Sequence, residues 1–237
     1  MFNSYFKIQP GRVIAKKYEV ISLLGSGWEG EVYKIVELGT GIERAAKIFY
    51  PERNHKDRAV KFYAKQLHKL RKCPILIQYH TKETFISNRV PTTMLISEFV
   101  EGELLSDFIR QMPRKRMSAF EGLHLLYALT RGIEQIHALN EYHGDLHSAN
   151  VIVNKYGLEF ELKLMDLYLQ SDSKRESQKE DIIGLVQILY EALGGRKYYA
   201  SQPDAIKYIC CGLKSSLILK KFKTADQLKL YIESMNW

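Results

Sequence analysis

Three closely spaced glycines, followed at once by a β-branched run, constrain the fold of this chain more than any other feature. Gly25, Gly27 and Gly30 stand in the spacing G-x-G-x-x-G within the segment LGSGWEGEVYKIVEL. A dinucleotide-binding fold uses the same spacing, but it needs a helix directly after the glycines. Here the residues after Gly30 are β-branched and alternating, which is typical of a strand. The sequence therefore predicts two strands joined by a glycine-rich turn, an arrangement that can cover phosphates or be purely structural.

The other periodicities divide the chain into a strand-rich first part and a mostly helical second part. Four strands are predicted in the first hundred residues, in the segments YEVISLLGSG, EVYKIVEL, ERAAKIFY and TTMLISEFV. One helix is predicted among them, from about Asp57 to Arg71. The second part contains two long helices, FEGLHLLYALTRGIEQIHAL and EDIIGLVQILYEAL, and a hairpin that we expect to turn at Asn154 to Gly157. The C-terminus is predicted to be helical from about Ile206.

We therefore predict an α+β fold with two lobes. Residues 1–97 would form a small β-rich N-lobe with one main helix, 98–103 the connection, and 104–237 a mostly helical C-lobe. The N-terminal arm contains Phe2, Tyr5, Phe6 and Ile8. We expect this arm to pack on the N-lobe, because a free arm would expose these apolar side chains.

Composition limits the partners and the compartment. The chain has 35 basic and 27 acidic residues, a formal net charge of +8, which favours anionic ligands such as nucleotides. The basic residues are dispersed apart from a short cluster at Arg114 to Arg116, so we do not expect a nucleic-acid partner. No apolar run approaches the roughly 20 residues of a membrane-spanning helix, and no secretory signal is evident. Cys73, Cys210 and Cys211 predict reduced thiols in a cytoplasmic protein.

Four polar residues in or beside apolar strands suit phosphoryl transfer. Lys47 stands in the segment AAKIF, where a buried ammonium is costly unless it is paired or reaches an anion. Asp145 and Asn150 lie five residues apart in YHGDLHSANVIV, and Asp166 ends the strand LKLMDLY. Phosphoryl transfer needs a carboxylate that orients or deprotonates the attacking hydroxyl, and oxygen ligands that hold Mg²⁺. Asp145 fits the first role, and Asn150 with Asp166 fits the second.

The order of these motifs along the chain resembles the protein kinase superfamily, in particular bacterial eukaryotic-like serine/threonine kinases. The resemblance runs from about Tyr18 almost to the C-terminus and implies a two-lobed protein-kinase-like fold. It implies that the three glycines, together with Val32 on the following strand, cover ATP. It also implies that Lys47 pairs with the phosphates of ATP and that Asp145 is the catalytic aspartate.

The same resemblance assigns further contacts. Asn150 and Asp166 would hold Mg²⁺. The segment SEFVEGE resembles the kinase hinge, which implies that the backbone from Glu98 to Val100 contacts adenine and that Glu103 contacts the ribose. The helix EDIIGLVQILYEAL resembles the core helix of the large lobe, whose Asp181 would brace the catalytic loop. The resemblance thus implies an ATP- and Mg²⁺-dependent phosphotransferase that acts on a protein substrate.

Four features depart from the kinase pattern. HGDLH replaces His-Arg-Asp-Leu-Lys, so Gly144 removes the arginine that would bind an activation-loop phosphate. DLY replaces Asp-Phe-Gly, and Tyr168 makes a backbone flip there less favourable than glycine would. Asp181 lies only fifteen positions after Asp166, and LQSDSKRESQKE predicts a short polar loop with little room for peptide docking. Tyr63 stands where the helix glutamate partner of the strand lysine is expected.

These departures leave two alternatives to a protein serine/threonine kinase. A Lys47 without a carboxylate partner would be poorly oriented, which favours a pseudokinase that binds nucleotide or a partner and acts as a switch. His147 replaces the usual lysine, as in aminoglycoside- and choline-type kinases, and the missing docking loop also favours a small-molecule kinase. The sequence alone leaves the three possibilities open.

Overall fold

The computed structural model describes residues 5–157, 159–168 and 173–235. The chain divides into two compact units, the first made of Met1–Lys72 and Ile77–Val100 and the second of Cys73–Leu76 and Glu101–Trp237. The chain passes from one unit to the other within the predicted connection 98–103. The short segment Cys73–Leu76 was expected in the first unit but belongs to the second. There Leu76 forms a parallel bridge to Leu164, whose N–H donates to the carbonyl of Ile75.

In its described part, the first unit contains an antiparallel sheet of six strands and a long helix. The strands are β1 (Val13–Ile14), β2 (Tyr18–Ser26), β3 (Gly30–Glu37), β4 (Glu43–Phe49), β5 (Tyr79–Ser87) and β6 (Val90–Glu98), in the order β1-β2-β3-β4-β6-β5. Helix α1 (Arg58–Lys69) lies within the predicted helical range. The four predicted strands are confirmed, whereas the two-residue strand β1 and the longer β5 were missed. Strand β5 is at the sheet edge and is polar over most of its length, so it lacks the apolar signal of a central strand.

The N-terminal arm packs on this sheet, as predicted. Phe6 and Ile8 are buried in the same apolar cluster as the strand residues. The arm is also fixed by a charged group, because the buried carboxylate of Glu31 accepts the backbone N–H groups of Tyr5 and Phe6. The hydroxyl of Tyr33 donates to the same carboxylate over 2.6 Å. Phe2 lies outside the described residues.

The second unit contains a small sheet and a group of helices. Its strands are β7 (Glu103–Leu104), β8 (Val151–Tyr156) and β9 (Glu159–Leu164), in the order β7-β8-β9. The helices are α2 (Leu105–Gln111), α3 (Ala119–Ala138), α4 (Lys174–Ala192), α5 (Arg196–Tyr199), α6 (Asp204–Cys210), α7 (Ser215–Lys221) and α8 (Ala225–Glu233). Helix α3 packs against α4 and α8 and begins with a capping box of Ser118 and Glu121. Among the described residues, none of the helices combines the length and the apolar character of a membrane span.

Two boundaries in this unit correct the predictions. The hairpin turns later than expected. Asn154 and Tyr156 still belong to β8, where Asn154 pairs with Glu161 and Tyr156 pairs with Glu159. Helix α4 begins at Lys174, so residues 174–180 are helical although LQSDSKRESQKE predicted a polar loop. The side chain of Ser173 accepts the N–H three residues later and caps a run of good helix formers. Residues 169–172 of that segment lie outside the described residues.

The cysteines differ in exposure, which gives a test of this packing. Cys73 and Cys210 are buried, and burial raises the pKa of the Cys73 thiol and raises that of Cys210 to about 12. Cys211 is partly exposed. We expect iodoacetamide at pH 8 to modify Cys211 first, and the other two thiols to react only when urea unfolds the chain. Peptide mass spectrometry measures this, and equal modification of all three without urea would contradict the packing.

Candidate active site

The three glycines of the glycine loop, where β2 turns into β3, have different structural roles. Gly30 is required by packing, because a side chain there would collide with the carbonyl oxygen of Ile48 on β4. A Cβ atom at Gly25 or Gly27 would meet no other atom within 4 Å. The loop is closed by the N–H of Gly27 donating to the carbonyl of Gly30 over 2.9 Å. Protein packing therefore explains Gly30, whereas Gly25 and Gly27 leave open surface at which a ligand can come close to the backbone.

Lys47 on β4 has a carboxylate partner that the sequence analysis missed. Its ammonium donates to Oε2 of Glu29 over 2.8 Å and lies 3.4 Å from the hydroxyl of Tyr63. The Tyr63 hydroxyl in turn donates to the same Glu29 oxygen over 2.8 Å. Tyr63 on α1 thus faces Lys47 as its spacing predicted. The carboxylate comes instead from the glycine loop, between Gly27 and Gly30.

The Lys47 ion pair is largely withdrawn from water. The side chains of Lys47 and Glu29 are 16% and 19% exposed. The Lys47 ammonium lies 4.5 Å from the ring centroid of Tyr63 and 5.5 Å from that of Phe49, distances at which a cation is attracted to an aromatic face. On the sheet, Lys47 pairs with Val32 of β3. The lysine is therefore held by a carboxylate, a hydroxyl and two aromatic rings.

The residues proposed for adenine and ribose contacts are divided between the units. Glu98 ends β6, where its N–H donates to the carbonyl of Gln78 and its carboxylate accepts the Gln78 N–H, both over 3.0 Å. Val100 is the last residue of the first unit. Glu103 lies on β7 of the second unit and accepts the side-chain amide of Gln111. Because the Glu98 N–H is engaged by Gln78, Glu98 itself is less suited to donate to a ligand than the residues after it.

In the second unit, the loop after α3 is organised by the buried carboxylate of Asp181 on α4. Its oxygens accept the backbone N–H groups of His143 over 2.8 Å and of Gly144 over 2.7 Å. The Nε2 atom of His137 lies 2.9 Å from the same carboxylate. The expectation that Asp181 braces the catalytic loop is confirmed.

His143 connects this loop to the segment that carries Asp166. Its Nδ1 atom accepts the N–H of Asp145, so its Nε2–H donates to the carbonyl of Met165 over 3.0 Å. The carbonyl of His143 accepts the N–H of Tyr168 over 2.9 Å. His143 is fully buried, and this burial lowers the pKa of its imidazole. A neutral histidine therefore ties the two segments together, which is a structural role.

Asp145 and Asn150 are joined by hydrogen bonds. The side-chain nitrogen of Asn150 donates to the Asp145 carbonyl over 2.9 Å and to the Asp145 carboxylate over 3.0 Å. The carboxyl group of Asp145 is half exposed, and Nε2 of His147 lies 3.6 Å from it. The carbonyl of Asn150 accepts the N–H of Met165, the residue before Asp166. All three predicted polar residues of the second unit therefore lie on segments that are bonded to one another.

The donor set at this position fits a hard divalent cation that is shared with phosphates. Since the Asn150 side-chain nitrogen is used by Asp145, its amide oxygen is the atom that a cation would take, together with the Asp166 carboxylate. Magnesium is commonly held by one or two carboxylates and completed by phosphate oxygens and water. Among the residues that the structure describes, no three His, Cys, Asp or Glu side chains cluster as a complete metal site. If a cation binds here, Asn150 and Asp166 would supply only part of its coordination sphere.

Two departures from the kinase pattern are linked by packing. Gly144 has a φ of +82°, a conformation that disfavours side chains. A Cβ atom there would lie 2.8 Å from the Tyr168 Cβ and 2.9 Å from the ring of Tyr142. An arginine at position 144 would therefore be strained and crowded. The glycine in HGD and the tyrosine in DLY therefore pack against each other, and the tyrosine occupies space that a side chain at position 144 would need.

Comparison with known proteins identifies the family. A model of the protein kinase domain matches residues 18–216, which is most of the chain. The chain belongs to this family, and the predicted resemblance is confirmed. It is 31% identical over 192 residues, 81% of its length, to a probable cyclin-dependent serine/threonine-protein kinase of Dictyostelium discoideum. It is 27% identical over 156 residues, 65% of its length, to serine/threonine-protein kinase pkn2 of Myxococcus xanthus.

The comparison with solved structures confirms the fold. The kinase domain of Mycobacterium tuberculosis PknI matches with a TM-score of 0.67 at 17% identity, covering 97% of this chain and 98% of that one. The predicted α+β, protein-kinase-like fold is therefore correct. The chain spans a third or less of the length of the curated relatives named here, 29% of the Dictyostelium protein and 18% of the Myxococcus one.

Replacing Asp181 tests how the loop after α3 is organised. In Asp181→Asn, one carboxylate oxygen becomes an NH₂ group, which cannot accept a backbone N–H and leaves a buried donor unsatisfied. We expect the free energy of unfolding in urea to fall by about 2 kcal/mol. The neighbouring exposed Glu180→Gln is the matched control and should change it little. Equal stability of the two variants would contradict the bracing role.

Proposed function

We propose that the chain transfers the γ-phosphoryl group of ATP to a serine or threonine hydroxyl of a protein, with Mg²⁺ as the cation. The observation that carries this proposal is the bonding of Asn150 to Asp145, which joins a half-exposed carboxylate to an amide able to coordinate a cation. Membership of the protein kinase family supports the same reaction. The serine/threonine kinase names of the Dictyostelium and Myxococcus relatives support the acceptor class.

In this proposal the first unit supplies the nucleotide contacts. The glycine loop would approach the phosphates at Gly25 and Gly27, where no protein atom occupies the space that a side chain would fill. The ammonium of Lys47 would bind the phosphates that the loop covers, since an ammonium is a strong charge-assisted donor to phosphate. Val32 would contribute an apolar contact. Backbone from Glu98 to Val100 would contact adenine.

The second unit would supply the chemistry and the cation. The Asp145 carboxylate would accept a hydrogen bond from the acceptor hydroxyl and take its proton as the new oxygen–phosphorus bond forms. The bond from the γ-phosphorus to the bridging oxygen breaks, and ADP leaves with that electron pair. Asn150 and Asp166 would hold Mg²⁺, which neutralises charge on the phosphates. Glu103 would contact the ribose.

A shortened activation segment is part of the proposal. Residues 167–173 alone stand between Asp166 and the start of α4, although part of this range lies outside the described residues. Gly144 offers no arginine to bind a phosphorylated activation segment. We infer that the kinase does not depend on phosphorylation of this segment for its active arrangement.

Intact mass spectrometry tests the proposed transfer. Wild-type protein is incubated with ATP and Mg²⁺, alone and with casein as a protein acceptor. We expect phosphate adducts with wild type and none with Asp145→Asn, because the amide cannot take the hydroxyl proton. Asp204→Asn is the control, since Asp204 is fully exposed on α6 and remote in sequence from the motifs.

The outcomes separate the alternatives. Equal adducts with wild type and Asp145→Asn would contradict the role of Asp145. No adduct on the chain or on casein, with nucleotide still bound, would favour the pseudokinase. ATP consumption that hydroxylated metabolites stimulate and casein does not would favour the small-molecule kinase.

The proposed cation site makes a separate prediction. In Asp166→Asn one charged ligand is lost, so the Mg²⁺ concentration for half-maximal transfer should rise about tenfold or more. The exposed Asp204→Asn should leave it unchanged. Transfer is measured across a Mg²⁺ titration at constant ATP, and an unchanged Mg²⁺ requirement in Asp166→Asn would contradict the assignment.

A further inference from the structure

Helix α1 cannot supply the carboxylate that phosphoryl transfer by kinases requires beside the strand lysine. Its sequence, RAVKFYAKQLHK, contains no aspartate or glutamate. In protein kinases an ion pair between the strand lysine and a helix glutamate must be in place for activity. The structure offers another source, because Glu29 of the glycine loop lies 2.8 Å from the ammonium of Lys47.

We propose that Glu29 is the positioning residue of Lys47 and that Tyr63 acts through it. This inference rests on the proposed function, since it concerns how Lys47 is oriented toward phosphate. The two donors, the Lys47 ammonium and the Tyr63 hydroxyl, converge on the same Glu29 oxygen. The Tyr63 side chain is buried, so its hydroxyl has a fixed position from which it holds the carboxylate.

The backbone of Glu29 is fixed as well as its side chain. The carbonyl of Glu29 accepts the N–H of Tyr50, just after β4, over 2.9 Å. The following Gly30 pairs with Phe49, and its lack of a side chain allows the close approach to β4. Both the backbone and the carboxylate of Glu29 are therefore held by hydrogen bonds. A positioning group needs this to restrict a long lysine side chain.

Placing the carboxylate on the loop changes what orients the lysine. When the partner is on a helix, movement of the helix makes or breaks the ion pair. Here the ion pair forms when the glycine loop is in its observed position, and α1 contributes a neutral hydroxyl. Lys47 is thus oriented by the same loop that would cover the phosphates. A change in the position of the loop would therefore also change the orientation of the lysine.

The opposite role for Glu29 would be a latch that withholds Lys47 from phosphate. The contact with Tyr63 favours the positioning role. The Tyr63 hydroxyl donates a hydrogen bond to the Glu29 carboxylate and so satisfies part of the carboxylate's hydrogen-bonding capacity. Glu29 therefore competes less strongly with phosphate for the Lys47 ammonium. The two roles predict opposite changes when the carboxylate is removed. A latch variant would transfer phosphate faster, and a variant without its positioning group would transfer it more slowly.

Chemical labelling of Lys47 tests the pairing without nucleotide. The rate of acetylation of Lys47 by an N-hydroxysuccinimide ester is followed by peptide mass spectrometry in wild type, Glu29→Gln and Tyr63→Phe. We expect labelling to rise about threefold or more in Glu29→Gln, because a lysine released from its ion pair is more accessible and nucleophilic. Glu52→Gln, at an exposed residue three positions after β4, makes the same charge change and should label like wild type. Unchanged labelling in Glu29→Gln would overturn the pairing.

Transfer kinetics then test the positioning role. We expect kcat at saturating ATP to fall about tenfold to a hundredfold in Glu29→Gln and less in Tyr63→Phe, which keeps the carboxylate. Glu29→Asp retains the charge on a shorter side chain and should recover part of the loss, which a merely structural role for residue 29 would not produce. Transfer by Glu29→Gln equal to or faster than wild type would overturn the inference. Absence of transfer in wild type would instead contradict the proposed function, while the labelling result would still decide the pairing.

Discussion

A positive charge on an apolar strand is the constraint on which the first unit depends. An ammonium at Lys47 is stable there only if its charge is compensated, and removal of one partner of such a pair is strongly destabilising. The compensation comes from Glu29, which draws the glycine loop toward β4 and places Tyr63 against both residues. The hydrogen bonds of one carboxylate therefore connect the loop, the residue on α1 and the strand lysine.

The second unit meets a comparable constraint with a negative charge. The carboxylate of Asp181 is buried and is compensated by two backbone N–H groups and by His137. These bonds fix the backbone at His143, which in turn holds the segment before Asp166. In each unit a charge that is largely withdrawn from water thus organises an irregular stretch of backbone near the candidate functional residues. Exposed Asp145 gains a defined position without being buried itself.

Local sequence signals predicted those features that depend on neighbouring residues. The glycine hairpin, helix α1 and the lobe composition follow from periodicity and turn chemistry, and Asp181 followed from the family resemblance. Strand β5 was missed because its polar edge residues carry no alternating apolar signal, and the start of α4 was missed because a serine cap in a charged run resembles a loop. Glu29 was missed because its contacts join residues 18 and 34 positions apart and depend on the loop conformation. The sequence showed only that Tyr63 stands where the helix glutamate is expected, and it did not show which residue replaces that glutamate.

Calorimetric titration with a non-hydrolysable ATP analogue and Mg²⁺ tests most directly the claim that the compensated charge of Lys47 serves nucleotide phosphates. Wild type should bind the analogue saturably at one site. Lys47→Met should bind it about tenfold more weakly or worse, because one charge-assisted hydrogen bond to phosphate is lost. Lys17→Met, which removes an exposed lysine paired with Glu83, should bind like wild type. No binding by wild type, or equal affinity of the Lys47→Met variant, would contradict the account.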